Sequence, residues 1–181
     1  MSPEDEENWA RALSRFRAEK DDYFRTSHES PVPRGDPAPF KSLSYFAPDP
    51  SLRFEVKLQR YANQEGVMLS TSKGTRQLFN RVGFFDLTVG GDPVRIHAYQ
   101  SAQQDDPNLF VPFRDATSGK ESYGSARYLD LKVEHDDEYA LDFNYAYNPY
   151  CAYSDSWTCP LPPQENWLNA PIPAGEKKYH D

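Results

Sequence analysis

The run Leu52-Arg53-Phe54-Glu55-Val56-Lys57-Leu58-Gln59 alternates apolar and polar side chains without a break. Successive side chains of an extended chain point to opposite faces, so this stretch reads as a strand with one dry face and one wet face. Toward the C-terminus similar short runs recur at 67–71, 76–82, 84–89, 94–99, 109–113, 127–133 and 139–143. Gly74, Gly90-Gly91-Asp92-Pro93, Asp105-Asp106-Pro107 and the charged stretch 134–138 separate them, as turn residues separate strands. Phe85, Leu87 and Val89 with Val94, Ile96 and Ala98 flank Gly90-Gly91 and predict a hairpin. Leu129, Leu131 and Val133 with Tyr139, Leu141 and Phe143 predict a second one across the charged turn. The reading is mainly β: about eight antiparallel strands within 52–143, forming a barrel or a sandwich.

On the N-terminal side, Trp9, Leu13, Phe16 and Tyr23/Phe24 recur at helical spacing, which makes one apolar stripe on an amphipathic helix. Ser2 is placed to cap it, Pro3 suits its first turn, and Glu4 to Glu7 complement the N-terminal dipole. This helix is expected within residues 1–26 and packs through Trp9, Leu13 and Phe16. Residues 27–51 form a proline-rich connection, with four prolines and a glycine between Ser27 and Pro39. Residues 52–176 form a single β domain. Its last part, from Asn144 on, carries Pro-Leu-Pro-Pro at 160–163 and Pro-Ile-Pro at 171–173, so little of it suits a central strand. Its many rings, Tyr145, Tyr147, Tyr150, Tyr153, Trp157 and Trp167, require it to wrap on the domain, with Tyr147, Tyr153, Trp157 and Cys151 buried. Lys177 to Asp181 are expected to fray.

Among 181 residues, 20 Lys+Arg face 28 Asp+Glu, a net charge of -8. That sign disfavours nucleic acid and anionic membrane as partners. No apolar run suits a transmembrane helix, and the acidic start Met1 to Glu7 lacks the pattern of an export signal, so a cytoplasmic address is expected. The oligomeric state is left open.

Several segments together resemble a known family. They are Leu109-Phe110-Val111-Pro112-Phe113-Arg114-Asp115-Ala116-Thr117-Ser118-Gly119-Lys120, Tyr123-Gly124, Arg127-Tyr128-Leu129-Asp130-Leu131 and Leu141-Asp142-Phe143-Asn144. Tyr147-Asn148-Pro149, Cys151-Ala152-Tyr153, Cys159-Pro160-Leu161-Pro162-Pro163 and Asn166 continue the likeness. The chain thereby resembles the prokaryotic family numbered 1684 among the domains of unknown function. Arg17 to Asp21 and Tyr45 to Pro50 fit its layout too, while Trp167 stands where a polar or basic residue is expected. The resemblance implies the extent of the domain and the segments that matter, and it supplies no reaction.

The candidate chemistry centres on Arg127. It shares parity with Leu129, Leu131 and Val133, so it points inward at the start of its strand, near a rim. Its acceptor is either a protein carboxylate, Asp115 or Asp142, or the carboxylate or phosphate of a small ligand. Arg114, Asp115, Ser118, Tyr123, Asp142, Asn144, Tyr147 and Asn148 lie in the segments adjoining that rim and complete the candidate ligand set. A small polar or anionic molecule is the expected partner. An enzyme reading remains beside it, with Asp142, His97 or Tyr123 moving a proton and Arg127 stabilising negative charge, as does a structural or protein-interaction role. His97 shares parity with Arg95 and Tyr99, opposite the apolar Val94, Ile96 and Ala98, and is expected to be a solvated or interface histidine. No cofactor and no metal is expected: two cysteines eight positions apart and four scattered histidines do not make a zinc site. Cys151 and Cys159 are read as free thiols. Ser118-Gly119-Lys120 fails as a phosphate loop, since Arg114 stands where a glycine is needed.

Overall fold

The computed structural model describes residues 1–35, 39–103 and 105–180. Residues 36–38 of the proline-rich connection and Asp181 of the tail lie outside the described residues. One helix, α1 (Pro3–Thr26), precedes seven described strands: β1 (Arg53–Lys57), β2 (Gln59–Ser70), β3 (Arg76–Val89), β4 (Asp92–Ser101), β5 (Leu109–Phe113), β6 (Arg127–Leu131) and β7 (Glu138–Asp142). They form two antiparallel sheets, one of β1 and β7 and one in the order β2-β3-β4-β5-β6. The protein is thus mainly β with an N-terminal helix, and no barrel closure is seen among the described residues. No described helix is long and apolar enough to cross a membrane.

Helix α1 starts where its signals put it. Ser2 Oγ accepts from the Asp5 amide, and the Asp5 carboxylate reaches back to the Ser2 amide, a reciprocal capping box. The stripe is used unevenly, however. Leu13 and Phe24 are buried, and the half-buried Trp9 donates its indole N–H to Asp142 Oδ2 at 2.6 Å. Phe16 is 37% exposed and meets only the edge of Tyr145 among aromatic rings.

The two runs expected at 76–82 and 84–89 are one strand, β3, bent where its pairing with β4 shifts between Arg81 and Gly83. A β-bulge of this kind lets a long strand bend without ending. Gly83 is required there because a Cβ would lie 2.3 Å from the Gln59 carbonyl oxygen of the neighbouring strand β2. Gly83→Ala is therefore expected to lose about 3 kcal/mol, the upper end for overpacking, measurable by urea denaturation. A loss below about 1 kcal/mol would show that β2 moves away freely.

The hairpin across Gly90-Gly91 forms, with Val89 opposite Asp92. The second expected hairpin does not. Strand β6 pairs with β5, and β7 pairs with β1 from Arg53↔Asp142 to Lys57↔Glu138. The charged stretch before β7 is an irregular excursion and not a tight turn. It ends on Asp137 at φ 61, whose carbonyl accepts from the Leu58 amide and whose carboxylate pairs with Arg60. These contacts tie it to the start of the β1–β2 region.

Both sheets share one core, including Leu52, Phe85, Leu87, Ile96, Val111, Phe113, Leu129 and Leu141. Leu168, Ala170, Ile172 and Ala174 of the C-terminal segment belong to the same core, so the wrapping expected of that segment is observed. Tyr153 is 2% exposed, but Trp157 is 40% exposed and Cys151 and Tyr147 are only half-buried. Trp157 instead leans its ring against Tyr150 at the surface. Nor does the described tail fray: Lys177 and Lys178 donate amides to Ser44 O and Glu121 O, and Tyr179 packs on Phe40 and Tyr153.

Candidate functional site

The inward parity of Arg127 is observed, and the side chain is 1% exposed. Its Nη2 donates to Asp115 Oδ1 at 3.0 Å and to the Ile172 carbonyl at 2.8 Å, while Nη1 donates to the Ala174 carbonyl. Phe46 and Phe113 offer their ring faces to the same guanidinium. Asp115 also accepts from the amides of Thr117 and Ile172 and from the hydroxyls of Thr117 and Ser118. Burial pulls the arginine's pKa downward and the Asp115 charge opposes it. The cluster staples residues 172–174 of the C-terminal segment to β6 and to the loop after β5. It is closed to solvent.

The remaining expected ligand residues are distributed among other contacts. Asp142 accepts from Trp9 and from both nitrogens of Asn144, whose side chain also bonds both main-chain groups of Asp49. Asn148 bonds Glu176 and the Lys177 carbonyl. The Arg114 guanidinium lies 4.7 Å above the Trp167 ring, and the Tyr123 hydroxyl lies 3.7 Å from Cys151 Sγ. Tyr147 lines an open groove.

That groove arises from strand register. Phe110 is opposite Tyr99 on β4 and opposite Asp130 on β6, and directly opposed residues share a face of the sheet. Leu109, Val111, Phe113, Leu129 and Leu131 face the core, so Phe110, Tyr128 and Asp130 face the other way. The C-terminal segment crosses this second face, with Tyr147 and Tyr128 exchanging two main-chain hydrogen bonds and Thr71 bridged to Pro160. Between segment and sheet lies a groove of about 480 Å³, walled by Phe79, Phe110, Tyr128, Tyr147, Asp130 and Asp106 among others. Phe79 and Phe110 are stacked at 24°, while Phe110 meets Tyr128 at 72° and Tyr128 meets Tyr147 at 86°. Tyr147 donates its hydroxyl to Asp130 Oδ2 at 2.5 Å. Asp130 is exposed, yet partial loss of water against the groove walls raises its pKa, Asp106 adds to the rise, and Tyr147 and Lys20 oppose it.

The same covered face explains His97. Its parity is the expected one, opposite Ile96 and Ala98, yet it is buried because residues 164–166 lie over it. Asn166 accepts from the His97 amide at 2.8 Å and donates to its carbonyl at 2.9 Å. The imidazole Nδ1 meets Arg81 and the Tyr61 hydroxyl, and Glu165 is held by Arg81 at 2.6 Å and by the Tyr99 hydroxyl. Burial first, then Arg81 and Arg95, lower the His97 pKa against the opposing pull of Glu165. These groups bond one another, which suits a latch better than an active site. Among the described residues no group of three or more His, Cys, Asp or Glu side chains is arranged to hold a metal ion.

Phe79, Phe110, Tyr128 and Asp130 were legible as a strand face but not as a groove. The signal was a large ring on each face of β5, Phe113 inward and Phe110 outward, with Tyr128 outward on β6, which implies a second cover.

A family model described as a protein of unknown function (DUF1684) matches residues 38–177. The solution NMR structure of an uncharacterized protein of Haloarcula marismortui is similar, at 40% identity, with 97% of each chain covered and a TM-score of 0.74. No curated protein matches the chain.

Proposed function

The chain belongs to the DUF1684 family, and from that premise, which carries no activity, we propose that the protein is a binding module for a small cationic molecule, an ammonium or guanidinium compound. The Asp130 carboxylate carries this reading, because it lies in one open groove with the rings of Phe79, Phe110, Tyr128 and Tyr147. Aromatic faces attract cations, and a carboxylate among them fixes the charge. One face of Tyr147 already takes the Lys20 ammonium, 4.9 Å from the ring centroid. The volume, about 480 Å³, suits a metabolite-sized ligand. An anion has less support: Arg127 is enclosed with Asp115, and the groove contributes two carboxylates, Asp130 and Asp106.

Asp130→Asn is expected to weaken binding of methylguanidinium or tetramethylammonium at least tenfold, about 1.4 kcal/mol, by calorimetry. Stability should change little, since the new amide oxygen still accepts from Tyr147. The wild-type affinity should also fall as pH drops through the Asp130 pKa, which lies above the ordinary 3.8. Equal affinity of wild type and variant would refute the assignment.

A further inference from the structure

The C-terminal segment carries a second chemistry that does not rest on the groove. Cys151 and Cys159 are both free and adjacent: the Cys151 amide nitrogen lies 3.3 Å from Cys159 Sγ. Their settings differ. Cys159 is 6% exposed, and its amide is held by Ser72 Oγ at 3.1 Å. Cys151 is half-exposed and lines a surface hollow of about 410 Å³ with Ser154, Asp155, Ser156 and His180. The Tyr123 hydroxyl lies 3.7 Å from its sulfur. An accessible sulfur with hydrogen-bond donors around it, backed by a second sulfur out of solvent, is the arrangement needed for two-step thiol oxidation.

We propose that Cys151 and Cys159 form a site that reacts with a hydroperoxide, Cys151 as the attacking sulfur and Cys159 as the resolving one. In the first step the Cys151 thiolate attacks the peroxide. A sulfur–oxygen bond forms, the oxygen–oxygen bond breaks, and the departing oxygen takes a proton from solvent to leave as water or an alcohol. In the second, Cys159 attacks the Cys151 sulfur, a sulfur–sulfur bond forms, and hydroxide leaves with the Cys159 proton as water. The two thiols lose two electrons and the peroxide gains them.

The electrostatics favour this division of roles. Hydrogen bonds from Cys159, Tyr123 and Ser72 lower the Cys151 pKa to about 6 against the opposing effect of burial. Cys159 is pushed the other way, first by its bond to Cys151 and then by burial, against the opposing effect of the Cys151 and Tyr150 amides. Tyr123, Tyr128, Asp155 and His180 are titratable groups near the pair.

The test uses the whole protein, reduced and then treated with one equivalent of hydrogen peroxide under nitrogen. The intact mass should fall by about 2 Da as the bond forms, with peptide mapping placing the link between the two cysteines. In Cys159→Ser, dimedone should label Cys151. In Cys151→Ser, the rate should fall at least about tenfold and Cys159 should stay unlabelled. Tyr123→Phe should move the pH midpoint of Cys151 alkylation upward. Limiting iodoacetamide on the wild type needs no variant to fold, and it should mark Cys151 first. The proposal is overturned if Cys159 is marked first, if Cys151 reacts no faster than free cysteine at the same pH, or if wild type gains oxygen without forming the link.

Discussion

Arg127→Met is expected to lower folding stability by about 3–5 kcal/mol, because it strands the buried Asp115 carboxylate without its counter-charge. The pair is enclosed, with side chains 1% and 0% exposed, so solvent screening offers little relief. Removing the guanidinium also takes a charged donor from the carbonyls of Ile172 and Ala174, although Ile172 O still accepts from the Ala174 amide. The double change Arg127→Met with Asp115→Leu should be milder than either single change predicts by addition, since no lone charge remains. Urea denaturation of the three variants measures this. A loss below about 1 kcal/mol for Arg127→Met would mean that the arginine is not structural and would reopen it as a ligand contact.

Ending the chain after Phe143 is expected to abolish cooperative folding altogether. Leu168, Ala170, Ile172 and Ala174 leave the shared core, and Tyr153 leaves the cluster around Phe24. Burial of each large side chain contributes about 1.5–3 kcal/mol, and Leu168, Ile172 and Tyr153 alone reach the lower range of a domain's net stability, about 5–15 kcal/mol. Arg127 also loses every acceptor except Asp115. Flat thermal and urea profiles are the expected result. A shortened chain with a sharp transition would make the segment an appendage.

Parity carried far in this sequence. It placed Arg127 on the core side of β6 and His97 on the side away from Ile96, because the two-residue period of a strand is local. Pairing was harder to read. The 129–133 and 139–143 runs look like hairpin arms, yet β7 pairs with β1, some 85 residues earlier in the chain, a choice made by packing and not by neighbouring residues. The burial of His97 and the groove at Phe110 and Asp130 share one cause. A proline-rich segment without periodicity lies across the second face, and no local pattern announces where such a segment will rest. The Arg127 rim was legible as a convergence of Asp115, Ser118 and Arg127, but whether such a cluster opens to solvent depends on Ile172 and Ala174, far along the chain.

The groove on the second face of the sheet is proposed to bind a cation through Asp130 and the surrounding rings. An amide-resonance NMR titration of the whole protein with tetramethylammonium chloride, against sodium chloride at equal ionic strength, tests it most directly. The expected result is saturable shifts centred on Phe110, Tyr128, Asp130 and Tyr147 that vanish in Asp130→Asn. Shifts no different from those given by sodium, or shifts gathered elsewhere on the surface, would contradict it.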